Sequence, residues 1–188
     1  METPLKHFLM FALLFALTAC ATPVGGIVPL GGNLPKPLPV TPTTSYTQCA
    51  FVWASQAQPE LSARLVKELK HAALPVETAR AEAYGENCVA ADDTVVSFAQ
   101  METDFYITLN APDLADQAAL GNLLEKALTV IDQFLPSELG PEAAGYIGIT
   151  FQTGSQTQNL WFTYGYANNL RKQGLKGADL YQALANKP

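Results

Sequence analysis

Histidine is scarce in this chain, which carries only His7 and His71 among its 188 residues. Serine and cysteine hydrolases need a base beside the nucleophile, and that base is most often histidine. The G-x-S-x-G, H-E-x-x-H, P-loop, dinucleotide-binding and EF-hand patterns are also missing. The sequence therefore assigns no catalytic residue, no metal ligand and no cofactor, and His71 is interpreted as a cation at the end of a helix.

Positive charge is also in short supply. The chain has 11 Lys and Arg against 17 Asp and Glu, a formal net charge of -6, and its basic residues form no cluster. Because an acidic surface repels phosphate backbones, nucleic acid is excluded as an expected partner. A content of 48% hydrophobic and 15% charged residues is typical of a globular chain.

The amino terminus carries an apolar run that is too short to cross a bilayer. Phe8–Leu17 contains ten apolar residues, whereas a membrane-spanning helix needs about 20. A run of this length suits the hydrophobic core of a signal peptide. It leads directly into Leu17-Thr18-Ala19-Cys20.

This tetrapeptide resembles the lipobox of bacterial lipoprotein precursors. In that family the cysteine receives a thioether-linked diacylglycerol, and a dedicated peptidase cuts before it. The resemblance implies a signal peptide over residues 1–19, acyl chains such as palmitate on Cys20, and a lipid-anchored protein. It also implies a location on the extracytoplasmic face of the cell membrane or outer membrane. The alternative is an ordinary secretory signal that is cut elsewhere.

Residues 20–45 are rich in proline and glycine, with six prolines, four glycines and one charge, Lys36. Proline and glycine oppose both helix and sheet, so this segment predicts a tether. Fully extended, it would reach on the order of 75 Å from the membrane. The alternative is a proline-rich ligand for an aromatic groove.

Two cysteines remain beyond Cys20. Cys49 and Cys88 each lie near the edge of a predicted strand, and an extracytoplasmic location permits a disulfide between them. Closing a loop of this length would stabilise the fold by about 4 kcal/mol in the loop-entropy model. The alternative is a metal site that includes His71, but three ligands without close spacing form a weak set.

Residues 46–188 show the alternation and helical spacing of one domain. Apolar stripes predict a helix that starts at Pro59 and stops at Leu74-Pro75, and a longer helix that Asp113 caps and Pro136 ends. Two short helices close the chain, over Ala167–Gln173 and Lys176–Ala185. Strands are predicted over the following ranges: Tyr46–Ser55, Val76–Gly85, Val95–Gln100, Asp104–Leu109, Gly145–Thr153 and Gln156–Tyr164. The alanine and glutamate content of Val76–Gly85 also suits a helix, but its alternation predicts a strand, which Gly85 is expected to close.

The order of these elements predicts an α+β fold. We expect a two-layer sandwich in which a mainly antiparallel sheet carries two to three helices on one face. Gly154-Ser155 predicts a tight hairpin between the last two strands. The segment Ser137–Ala144 is interpreted as a loop, and Val95–Leu109 is compatible with two strands or with one strand bent near Glu102.

Aromatic residues indicate a candidate binding surface. Tyr84, Tyr106 and Trp161 fall at strand positions, and some aromatic side chains must lie on the sheet face away from the helices. Exposed tyrosine and tryptophan on a rigid sheet make good contacts for a ligand or a protein. The alternative is packing of these rings in the core.

Carboxylates offer the only catalytic alternative. Glu102 and Asp104 lie at the predicted strand bend, and glycosidases use two carboxylates about 5–10 Å apart. The alternative is a pair of solvated surface charges. Asp92-Asp93 lies in a predicted turn, and too few further oxygen ligands lie nearby for a calcium site.

The stretches YGENC (84–88) and METDF (101–105) resemble uncharacterised bacterial lipoprotein domains, a resemblance that implies no activity. We expect a membrane-anchored, non-enzymatic binding or envelope-assembly module, with an envelope protein or glycan as its partner. The alternative is a carboxylate-dependent enzyme that acts on envelope glycans. A third interpretation is an envelope-stability protein that matters only under stress.

Overall fold

A computed structural model describes residues 48–134, 136–141 and 143–186, so the predicted signal peptide, Cys20 and the tether lie outside the described residues. The fold is α+β. Its strands are β1 (Ala50–Ala57), β2 (Val76–Val89), β3 (Val95–Asn110), β4 (Ala144–Thr153) and β5 (Gln156–Thr163). Its helices are α1 (Pro59–His71), α2 (Gln117–Ile131), α3 (Pro136–Leu139), α4 (Tyr164–Lys172) and α5 (Gly177–Ala185).

The strands form one mixed sheet in the order β1-β2-β3-β4-β5. Three neighbouring pairs are antiparallel, as expected, but β3 and β4 run parallel. The chain passes through α2 between these two strands, and such a crossover is what parallel neighbours require. The apolar spacing of this segment predicts the helix. It does not show whether the strand after the helix runs parallel or antiparallel to the strand before it, so the parallel pair was not predicted.

The core lies between one face of this sheet and the helices. Phe105, Ile107 and Leu109 of β3 alternate into it, and β4 contributes Ile147 and Ile149 in the same way. The predicted stripe of the long helix is buried against them, as the following side chains show: Leu120, Leu124, Leu128 and Ile131. Burial of apolar surface at about 25 cal/mol per Å² is the main force that holds the helices on this face.

Two boundaries of the long helix differ from the prediction. Asp116, not Asp113, caps α2, because its carboxylate accepts hydrogen bonds from the N–H groups of Ala118 and Ala119. Asp113 instead accepts from the N–H of Ala115, a local turn before the helix. Pro136 does not simply end a helix. α2 already ends at Ile131, and Pro136 begins the short helix α3, which extends into the segment predicted as a loop, since proline suits a first helical turn.

Gly85 has a different role from the one expected. It does not close β2, which continues to Val89. The pairing shifts here, from Tyr84 opposite Glu102 to Gly85 opposite Gln100. A Cβ on Gly85 would lie 2.0 Å from the carbonyl oxygen of Ala99, so only glycine allows this close approach. β3 is correspondingly one long strand with an irregularity near Glu102.

At the other end of the sheet, β5 stops one residue early and passes directly into α4. The Thr163 hydroxyl accepts a hydrogen bond from the N–H of Tyr166 and caps the helix. Tyr164 then donates its hydroxyl hydrogen to Asp132 Oδ1 at 2.7 Å. Arg171 holds the same carboxylate through two N–H groups, at 2.6 Å and 3.1 Å. The network ties the end of β5 to the end of α2.

The charge on Asp132 makes this network sensitive to pH. Burial opposes ionisation, but the hydrogen bonds from Arg171 and Tyr164 outweigh it, so the pKa of Asp132 lies below its usual value. Burial and the bond to Asp132 raise the pKa of Tyr164 to about 12. A carboxylate with a lowered pKa stabilises the fold above its unfolded pKa, and the stabilisation is lost as the pH falls through the folded value.

We expect Asp132→Asn to lower the free energy of unfolding at pH 7 by about 1.5 kcal/mol, the lower end for bonds to a charged group because the site is partly exposed. Urea unfolding at pH 7 and at pH 3 measures the effect. The gap between variant and wild type should shrink at pH 3. An equal gap at both pH values would contradict the assignment.

Candidate functional site

The sheet face opposite the core, here called the open face, carries its side chains in rows across neighbouring strands. Arg80 of β2 lies opposite Tyr106 of β3, which lies opposite Gly148 of β4, which lies opposite Trp161 of β5. These four residues form the aromatic row. The adjacent hydroxyl row runs in the same way through the following residues: Thr78, Thr108, Thr150 and Asn159.

Gly148 brings the two rings of the aromatic row together. Tyr106 and Trp161 stand on strands two places apart, which separates their backbones by about 9–10 Å. Their ring centroids are nevertheless 5.4 Å apart, because the rings lean over the bare glycine between them. A Cβ on Gly148 would lie 2.7 Å from Trp161 Cζ3. The absence of one side chain in β4 therefore creates the contact.

A third ring extends this cluster. Tyr146, two residues before Gly148 on the same face of β4, stacks on Trp161 with a centroid distance of 5.3 Å and an interplanar angle of 9°. Trp161 is 50% exposed and Tyr146 is 38% exposed. Tyr106, Tyr146 and Trp161 are here called the aromatic platform. It presents large apolar rings to solvent on a rigid β-sheet.

Arg80 covers one end of the platform. Its guanidinium lies 3.9 Å from the centroid of the Tyr106 ring, a cation–π contact. Its Nε–H donates to Glu82 Oε1 at 2.9 Å, so the positive charge is paired. Burial, and then the charges of Asp104 and Glu82, raise the pKa of Tyr106, while Arg80 opposes them. Tyr106 therefore stays neutral at physiological pH.

A groove of about 200 Å³ lies between the aromatic row and the hydroxyl row. Rings of Tyr106 and Trp161 line one side together with Arg80, whose charge is paired with Glu82, and the other side carries the hydroxyl row. Within that row, the Thr150 hydroxyl donates to Asn159 Oδ1 at 2.8 Å. The groove thus combines an apolar wall with a row of neutral hydrogen-bonding groups.

The predicted carboxylate pair is packed against backbone. Asp104 is only 7% exposed, and its Oδ1 accepts the backbone N–H of Tyr146 at 2.7 Å. Burial raises the pKa of Asp104, and the charge of Glu82 adds to this, while the bond from Tyr146 opposes it. A Cβ on Gly145 would lie 2.3 Å from Glu102 Cδ and 2.7 Å from Asp104 Oδ1, so the two carboxylates lie together over that glycine. Neither carboxylate lines the groove, and Asp104 instead positions the strand that carries Tyr146.

The candidate surface predicted from the sequence is split in two. Tyr106 and Trp161 come together, but Tyr84 stacks on Trp53 of β1, with ring centroids 5.4 Å apart and planes 4° apart. Tyr84 lies four residues along β2 from Arg80, about 13 Å away. The prediction that the last strand includes Tyr164 is wrong, because Tyr164 begins α4.

The remaining sequence candidates have local structural roles. Cys49 and Cys88 lie at disulfide distance, with Cα atoms 5.1 Å apart, and their sulfurs are joined, which leaves no thiolate for a metal. His71 is the last residue of α1, and its Nδ1 lies 3.8 Å from Oε2 of Glu68, one turn earlier in the helix. Asp92 accepts hydrogen bonds from the N–H and hydroxyl of Thr94 and shapes a turn, and these bonds lower its pKa.

Sequence reasoning missed Tyr146, Gly148, Arg80 and the hydroxyl row. Gly148 carried a usable signal, since a glycine inside a strand often marks the close approach of another group. The threonines carried none, because a β-branched polar residue suits any exposed strand position. Only the pairing of the strands places them side by side.

No protein-family model matches the chain, and neither curated proteins nor solved structures provide a match. Within the ranges that the structure describes, no three His, Cys, Asp or Glu side chains are grouped to hold a metal ion. Among these same residues, no helix is both long and apolar enough to cross a bilayer. The site is therefore interpreted from its own geometry.

Proposed function

We propose that this protein is a lipid-anchored, extracytoplasmic binding module that uses the aromatic platform to contact a component of the cell envelope. The observation that carries the proposal is the exposure of Trp161 and Tyr146 as stacked rings on the open face. Tyrosine and tryptophan supply large contact area with few side-chain torsions to immobilise, which is why they concentrate at binding surfaces. We further propose a two-layer sandwich, with the helices as the layer behind the sheet.

Rigidity of the platform supports this proposal. Each ring stands on a different strand of the sheet, and the bond from the Tyr146 N–H to Asp104 holds β4 against β3. A surface ordered before binding loses little conformational entropy when a ligand arrives. This arrangement favours recognition over a reaction, because the groove contains neither carboxylate.

The anchor can be tested separately from the platform. We expect Cys20→Ser to move the mature protein from the membrane fraction to the soluble fraction, because two or more acyl chains hold a protein on a bilayer and the variant would have none. Immunoblots of fractionated cells measure this. Retention of the variant in the membrane fraction would contradict the anchor.

Binding through the platform is tested with isolated, washed cell envelopes and the full mature chain carrying Cys20→Ser, so that no acyl chain holds the protein on the membrane. Trp161→Ala should lower the amount of protein that co-sediments with envelopes by at least tenfold. Trp53→Ala is the matched control, because Trp53 is also a half-exposed tryptophan on a strand but lies outside the platform. Equal co-sedimentation of wild type and Trp161→Ala would refute the platform as the binding surface.

A carboxylate-dependent enzyme that acts on envelope glycans is the second candidate. The raised pKa of Asp104 favours it, since burial raises the pKa of a carboxyl in the direction that general acid catalysis requires. Against it stands the short bond from Tyr146, which already uses one oxygen of Asp104 for structure. Release of soluble fragments from envelopes by wild type, and not by Asp104→Asn, would establish this activity.

A further inference from the structure

We propose that the groove beside the aromatic platform binds one neutral sugar unit of an envelope glycan, an assignment of ligand class that rests on the proposed binding function. The sugar ring would place its C–H face on Trp161, which is 50% exposed, because Arg80 already lies over the Tyr106 ring. Its hydroxyl groups would point towards the hydroxyl row, where Thr108, Thr150 and Asn159 offer donors and acceptors.

Charge around the groove selects a neutral ligand. The Tyr106 ring already carries the Arg80 guanidinium at 3.9 Å, so a second cation on that ring would meet a like charge. An anion gains little from Arg80, because Glu82 pairs with it. The net charge of -6 on the whole chain repels an anion further.

The size and layout of the groove fit a single ring of a longer chain. Its volume of about 200 Å³ lies below the roughly 300 Å³ at which pockets for drug-sized ligands begin. The hydroxyl row stands two residues along each strand from the aromatic row, about 7 Å away. A sugar that packs on the Trp161 ring therefore brings its hydroxyl groups within reach of the threonines of the hydroxyl row.

A proline-rich peptide is the rival occupant, since such peptides also dock in aromatic grooves. The hydroxyl row disfavours it. Proline has no N–H to donate, and the Thr150 hydroxyl already donates to Asn159, so a proline-rich segment would leave the acceptor lone pairs of that hydroxyl unmatched. A sugar can form hydrogen bonds with the hydroxyl row and pack its C–H groups against the aromatic side of the groove at the same time.

The test uses isothermal titration of the full mature chain with four defined probes. These are a neutral N-acetylglucosamine oligomer, a neutral glucose oligomer, a polyuronate of equal length and a proline-rich peptide. We expect at least one neutral oligomer to bind at least tenfold more tightly than the polyuronate and the peptide. Trp161→Ala should weaken that binding at least tenfold, and Trp53→Ala should leave it unchanged.

Two further variants separate the site from the fold. Thr150→Val keeps the shape of the side chain and removes its hydroxyl, so it should weaken the neutral oligomer about tenfold while thermal unfolding stays within a few degrees. Gly148→Ala should displace the Trp161 ring, change its fluorescence and weaken the same oligomer. Unchanged affinity in both variants would overturn the assignment of this groove.

The outcomes distinguish the two proposals. If no neutral oligomer binds but envelope binding still depends on Trp161, the glycan assignment fails and the binding module stands. Tighter binding of the peptide or the polyuronate also overturns the glycan assignment. If neither probes nor envelopes show dependence on Trp161, both proposals fail.

Discussion

Replacing Cys49 and Cys88 together with alanine is expected to lower the free energy of unfolding by about 4 kcal/mol in the loop-entropy model. The bond closes a loop with a sequence separation of 39, which restricts the unfolded chain. It also joins the start of β1 to the end of β2. Urea unfolding of the oxidised protein and of the double variant measures the difference.

The position of the disulfide predicts that its removal will affect β1 and β2 more than the aromatic platform. Trp53 and Tyr84 lie on the two strands that it joins, whereas the aromatic platform lies on β3, β4 and β5. Binding to envelopes should therefore survive the double variant at temperatures where it remains folded. Cys20→Ser is the control, because Cys20 takes no part in this bond. Equal stability of the oxidised and reduced wild type would contradict the prediction.

Gly121→Ala is the second large effect, with an expected loss of about 3 kcal/mol. A Cβ on Gly121 of α2 would lie 2.1 Å from the carbonyl oxygen of Gly177, at the start of α5. Backbone, not a flexible side chain, occupies that space, so the two helices must separate. Helix propensity alone predicts the opposite sign, since alanine favours a helix over glycine by about 1 kcal/mol.

Gly165→Ala is the matched control, because no atom lies within 4 Å of a Cβ placed there in α4. This variant should be as stable as wild type or up to about 1 kcal/mol more stable. Thermal and urea unfolding measure the stability of both variants relative to wild type. A stabilised Gly121→Ala would show that the contact between α2 and α5 is looser than the structure indicates.

Local patterns were sufficient to predict most of the elements. Spacing of Leu120, Leu124 and Leu128 predicted a helix whose apolar side is buried, because a helix exposes the same face every three to four residues. Alternation predicted that Phe105 and Ile107 share the core face of a strand. The hairpin at Gly154 followed in the same way, with Thr153 opposite Gln156.

Boundaries were less predictable where two residues could play one role. Asp113 and Asp116 are both able to cap a helix, and only the path of the chain from β3 selects Asp116. Gly85 could close a strand or permit a close approach, and the neighbouring Ala99 carbonyl decides between them. In each case the outcome depends on a contact between backbone and side-chain atoms in three dimensions, and the sequence does not show that contact.

The candidate site was predicted in part. Tyr106 and Trp161 were expected on the open face, yet 55 residues of sequence separate them and no spacing rule relates them. Their contact depends on the parallel pairing of β3 and β4, which sets Tyr106 opposite Gly148. Tyr84 was expected beside them and instead stacks on Trp53, because it lies four residues further along β2.

The sequence by itself determined which residues alternate along a strand and which helices have an apolar side, because both patterns depend on neighbours within a few positions. It also determined which cysteines could form a disulfide, because the chain has few cysteines to pair. The lipid anchor rests on its first 20 residues alone and stays a prediction. Only the tertiary structure decided the parallel pair, the aromatic row and the groove beside it. Strand register assembles those features from distant segments, and no local pattern encodes it.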